Sequence, residues 1–128
     1  MSNPTITADD VLDVLIRADV SIDGWTKITS VPYIAYSLNI SKYRARMLIK
    51  ALKDLGLVKS DMESRYSDWS ERYFIVRGYV LTDKARHLAA WHQANIRELA
   101  IISECFGMDM EKEIEAAKAA AERDKSHA

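Results

Sequence analysis

Residues 31–58, VPYIAYSLNISKYRARMLIKALKDLGLV, constrain the fold more than any other part of the chain. They predict a short helix, a tight turn and a longer helix. In the longer one, Ala45, Leu48, Ile49, Leu52 and Leu55 recur at helical spacing as one apolar stripe. Lys42, Arg44, Arg46, Lys50 and Lys53 lie mostly off that stripe, and no carboxylate occurs from Val31 until Asp54. A solvated basic face is the plain alternative. An apolar floor beneath a cationic roof is also what the major groove of a duplex accepts.

The flanking signals are consistent with this parse. Ser30 and Ser41 stand where an N-cap is needed, and Pro32 falls in a first turn, where its missing N–H costs nothing. Gly56 follows the longer helix, where a left-handed residue is required. Upstream, Thr7 to Asp10 form a capping-box-like start to a first helix containing Val11, Leu12, Val14, Leu15 and Ile16. Asp23-Gly24 breaks the chain, and 25–29 predicts a short strand. Downstream, 57–65 and 73–81 predict two strands, with 66–72 as a long tip between them.

With these residues in view, the segment resembles bacterial winged-helix regulators. Ile34-Ala35, Leu38 and Ile40-Ser41 match an I-A-x-x-L-x-I-S pattern, and Leu52 with Gly56-Leu57-Val58 matches the end of the third helix. Tyr79-Val80-Leu81-Thr82-Asp83-Lys84-Ala85 resembles the Y-x-L-T-x-K-G segment that closes the wing in PadR-like and MarR-like proteins, with Ala85 in place of Gly. The acidic-x-Arg signature of MarR wings is not in register with Leu81-Thr82. The resemblance spans roughly residues 7–88. It implies a mainly α fold with a small β-wing (α+β), a winged helix-turn-helix followed by a C-terminal helical extension.

Charge is segregated in a way that the overall net charge of −1 conceals. Residues 1–39 carry 2 cations and 5 carboxylates, 40–87 carry 11 and 6, and 88–128 carry 5 and 8. The positive field therefore coincides with the helix-turn-helix and wing. The expected organisation is a DNA-binding domain over 1–88 and C-terminal helices over 83–128. A helix over 83–106 has an apolar surface broader than one flank of a small domain can hide. Leu88, Trp91, Ile96, Leu99 and Ile102 are therefore expected to pair two subunits. A final helix over 109–123 has few apolar anchors and is expected to fray or to pack only in a dimer.

The expected function is sequence-specific binding of double-stranded DNA by a homodimeric bacterial or phage transcription regulator. Its two reading heads would lie about one DNA turn (~34–36 Å) apart. Ser41, Lys42, Tyr43, Arg44, Arg46 and Lys50 are the candidate contacts on the third helix, with Arg44 or Arg46 suited to a guanine edge and the lysines to phosphate. Arg65, Arg72 and Arg77 are the candidate wing contacts, in competition with Asp61, Glu63, Asp68 and Glu71. Trp69 and Tyr66 are expected to pack the turn, and Trp25 and Trp91 to fill core or interface. A winged helix serving only as a protein-interaction module, in a phage or replication complex, is the alternative.

No nucleotide loop or nucleophile turn is present, so no enzyme, cofactor or metal is expected. His87 and His92, five residues apart, fall on different faces of a continuous helix. An inter-subunit metal site with Cys105 is correspondingly remote. The chain lacks a signal peptide and a long apolar run, so a cytoplasmic protein with no membrane partner is expected. Any small-molecule effector is left open.

Overall fold

A computed structural model describes residues 5–21 and 27–126. Helix α1 (Ala8–Val20) opens with the backbone N–H of Thr7 donating to the Asp10 carboxylate at 2.8 Å. Helix α2 (Val31–Leu38) is capped by the Ser30 hydroxyl, which accepts from the N–H of Tyr33 at 3.3 Å. It stops at Asn39, which takes the left-handed conformation (φ 53°) that Asn tolerates better than most residues. The Ser41 hydroxyl accepts from the N–H of Arg44 at 3.0 Å and starts helix α3 (Lys42–Asp54). Each cap thus falls on the serine expected from the sequence.

Strands β1 (Val58–Ser67) and β2 (Arg72–Leu81) form an antiparallel ribbon. Its tip is four residues, 68–71, shorter than the expected 66–72. Tyr66 lies opposite Tyr73, their rings 5.1 Å apart, so pairing runs on to Ser67 and Arg72. Of the predicted strand over 25–29, Thr29 forms a bridge with Tyr79, while Trp25 and Thr26 lie outside the described residues. At that bridge Gly78 has a specific reason to be glycine. A Cβ there would stand 2.4 Å from the Thr29 carbonyl oxygen, well inside contact.

The continuous helix expected over 83–106 is instead a 3₁₀ turn, Asp83–His87, followed by an extended Leu88 (ψ 145°) and helix α4 (Ala89–Phe106). Gly107, left-handed, ends α4. Helix α5 (Glu111–Ser126) folds back on α4 within the same chain and buries Ala117, so it packs in a single subunit rather than fraying.

The core is what helical and strand periodicity would assemble. Val11, Leu15 and Ile16 of α1 meet Ile34 of α2, Ala45, Ile49 and Leu52 of α3, and Leu81 at the base of the ribbon. Leu55 departs from its predicted stripe and is exposed at the α3 C-cap. Ala85 is fully buried in this cluster, where the smallest side chain fits without the conformational freedom of Gly. Three helices closed by an antiparallel hairpin, with two further helices, make an α+β winged helix-turn-helix with a helical extension.

The connections out of α3 are tied to the start of that extension. Lys84 Nζ donates to the Leu55 carbonyl at 2.8 Å, Thr82 Oγ1 to the Gly56 carbonyl at 2.6 Å, and the Thr82 N–H to the Leu57 carbonyl at 3.0 Å. Carbonyls at and just beyond the helix C-terminus, which lack intrahelical partners, are satisfied from the same strand end.

Candidate nucleic-acid interface

Helical geometry sorts the side chains of α3. With Ala45, Ile49 and Leu52 buried, the outermost line is Tyr43, Met47, Lys50 and Asp54. Lys42, Arg46 and Lys53 flank it on one side and Arg44 on the other. The Lys53 side faces the wing: its Nζ donates to Ser60 Oγ at 3.4 Å and lies 5.8 Å from the centre of the Tyr79 ring. Arg44 turns the other way, donating through its guanidinium to the Ile6 carbonyl at 3.0 Å. It ties α3 to the segment that precedes α1, so it is less free to read a base than the sequence suggested. Lys50 pairs with Asp54 at 3.1 Å, but both side chains are largely exposed, so this pair holds the lysine weakly.

The wing arginines divide as the sequence could not show. Arg65 is folded in, with a side chain 16% exposed and 3.2 Å from Glu63, so it does not reach outward. Arg72, opposite Ser67, and Arg77, opposite Met62, are exposed and lie on different faces of the ribbon. The ribbon also presents side chains the sequence reading set aside. Trp69 is 96% exposed at the tip, so it does not pack the turn. Tyr66 does pack, against Tyr73. On α2, Tyr36 is 87% exposed and Tyr33 is also exposed. Their spacing of three, off the line of Val31, Ile34, Ala35 and Leu38, is the signal that marks them as outward-facing. A groove of about 520 Å³ separates the start of α2 from the wing, lined by Ser30, Pro32, Ser60, Met62, Arg77 and Tyr79 among others.

Away from this surface, the break at Leu88 brings His87 and His92 to one carboxylate. Asp124 of α5 lies 3.0 Å from His87 Nδ1 and 2.5 Å from His92 Nε2. The two histidines meet because the 3₁₀ turn resets the helical phase between them, which spacing alone could not reveal. Hydrogen bonds from His92 and then His87 hold Asp124 below the ordinary carboxylate range. Among the described residues no group of three His, Cys, Asp or Glu side chains is arranged to hold a metal ion. Cys105 is exposed and apart from the histidine pair.

The five residues expected to pair subunits have mixed environments. Leu88 and Trp91 pack against the helix-turn-helix core, Ile102 is buried within the chain, and Ile96 and Leu99 are half-buried. Part of the broad apolar surface of α4 is thus covered by α1 and α5 of its own subunit. Ile101, Phe106 and Met108 remain exposed at its far end.

No protein-family model matches the chain, and no curated protein matches it in sequence. Among solved structures, a mutant of ZitR from Lactococcus lactis is similar at a TM-score of 0.40 and 19% identity, covering 98% of this chain and 79% of that one. The winged-helix assignment rests on the elements themselves. No described helix is long and apolar enough to cross a membrane.

Proposed function

We propose that this protein binds double-stranded DNA sequence-specifically as a homodimeric transcription regulator, with α3 in the major groove. The observation that carries the reading is the wing-facing flank of α3. Lys42, Arg46 and Lys53 project there from a helix that is anchored on its opposite face and free of acid before Asp54. Arg46, exposed and without an ion-pair partner among the described residues, is the residue suited to grip a guanine edge with two hydrogen bonds. Lys42 and Lys50 are suited to phosphates, and Arg77 to backbone contact beside the groove at α2. Titrating protein onto a labelled random-sequence duplex at several salt concentrations tests this. Affinity is expected to fall steeply with salt, with a log–log slope of about −0.9 for each phosphate contacted. Absence of duplex binding at low salt would sink the reading.

The dimer part rests on Ile101, Phe106 and Met108, exposed apolar side chains at the end of α4, together with half-buried Ile96 and Leu99. Ile101→Asp is expected to give a folded monomer by sedimentation, with operator binding weakened to that of a single head. A wild-type monomer at micromolar concentration, with and without DNA, would refute pairing.

A further inference from the structure

The pairing register divides the wing into two unlike faces. Residues directly opposite each other in an antiparallel ribbon share a face, and successive residues alternate. One face therefore carries Met62, Ser64 and Tyr66 from β1 with Tyr73, Ile75 and Arg77 from β2. The other carries Asp61, Glu63 and Arg65. Every strand carboxylate of the wing thus lies on the second face, and the only charge among those six residues of the first is Arg77. The first face is also rich in exposed apolar surface, since Met62, Tyr66, Tyr73 and Ile75 are all exposed, Tyr73 to 76%.

This face continues into the surface of α3. At its base Ser60, on the same face, accepts from Lys53, which also lies over Tyr79. Cations therefore stand at the base of the face, aromatic rings run along it, and Asp68 with Trp69 and Glu71 stand at the tip. A nucleic-acid strand fits that gradient in one sense: phosphates toward Lys53 and Arg77, and base rings outward over Ile75 and the Tyr66–Tyr73 pair. Stacking on aromatic rings is sequence-tolerant, but a base inside an intact duplex has no free ring face to offer. The surface therefore suits bases that have left the helix.

We propose that this face of the wing is a stacking platform for unpaired nucleobases, set beside the duplex held by α3. The proposal rests on the duplex-binding reading and deepens it: the preferred target is duplex DNA that runs into a single-stranded stretch. Fluorescence anisotropy of the full-length protein on a labelled duplex, with and without an oligothymidine tail of about ten nucleotides, tests it. The tail is expected to tighten wild-type binding about ten-fold. Tyr73→Ala should abolish that gain while leaving the plain duplex unaffected. Tyr73→Phe, which keeps the ring, should retain it and guard against a folding defect.

Equal wild-type affinity for the two probes would overturn the platform and leave the duplex reading standing. Absence of binding to either probe would remove both. A tail-dependent gain that survives Tyr73→Ala and Ile75→Ala would place the stacking elsewhere and overturn the proposal. So would equal affinity for the probes accompanied by self-association that sedimentation shows to be lost in Tyr73→Ala, which would assign the surface to a protein partner.

Discussion

Replacing Lys42 and Arg46 together with alanine is expected to weaken duplex binding by about 2–4 kcal/mol, roughly thirty-fold to a thousand-fold. Both side chains are exposed, neither has an ion-pair partner among the described residues, and they stand on the flank of α3 that looks toward the wing. Alanine is the best helix former, and neither side chain is buried, so the fold has no reason to respond. The double variant therefore isolates recognition from stability, which circular dichroism and a thermal melt verify. Arg46→Ala alone should also relax sequence preference. Lys50→Ala should instead lower affinity for all sequences alike and flatten the salt slope by about one unit. Arg44→Ala should do less to recognition, because its guanidinium is already engaged by the Ile6 carbonyl. Unchanged binding in the double variant, with the fold intact, refutes the placement of α3 in the groove.

Asp19→Ala is expected to destabilise the protein by about 3 kcal/mol. The Asp19 side chain, only 7% exposed, accepts two hydrogen bonds from the Arg86 guanidinium, both at 3.0 Å, and one from the Trp91 indole at 2.9 Å. It joins the end of α1 to the 3₁₀ turn and to α4. Its loss strands a partly buried indole N–H and an arginine. The cost sits at the lower end for such pairs because Arg86 stays partly in water and keeps Asp83 at 2.8 Å. Burial raises the Asp19 pKa, but the hydrogen bonds from Arg86 and Trp91 outweigh it, leaving the group below its ordinary value of 3.8. A carboxylate depressed in this way contributes fully above its unfolded pKa, and the contribution fades as pH falls through the folded value. Urea unfolding should thus show a wide gap between wild type and Asp19→Ala at neutral pH, closing as pH falls below the ordinary carboxylate range. A gap that is constant with pH would mean that packing, not the charge, carries the effect.

Much of the architecture was legible before any coordinates, because it depends on local rules. Ser30 and Ser41 mark helix starts through their hydroxyls and Gly56 a helix end through its left-handed backbone, and the apolar spacing of α1 and α3 selects the buried face. What escaped depends on contacts distant in sequence or on phase. The break at Leu88 carries no Gly or Pro. It arises where Ala85 must enter the core while α4 lies along α1. Once it is missed, His87 and His92 fall on opposite faces instead of converging on Asp124. The wing register was hidden because a one-residue slip exchanges its faces, and the pairing of the two strands, from Val58 opposite Leu81 to Ser67 opposite Arg72, resolves it. In the site, Arg44 read as a free cation because nothing local announces its bond to Ile6, and Arg65 because the burial of its side chain depends on contacts distant in sequence.

The bonds from Lys84 and Thr82 to the last carbonyls beyond α3 also have a mechanical meaning. Leu55, Gly56 and Leu57 are held by Thr82 and Lys84, at the start of the 3₁₀ turn that leads toward α4, so the C-terminal end of α3 is tied to the chain entering the helical hairpin. A displacement of that turn would therefore bear on the end of α3 directly through backbone carbonyls. In the proposed dimer, the angle between the two copies of α3 would then follow how the helical hairpins pack.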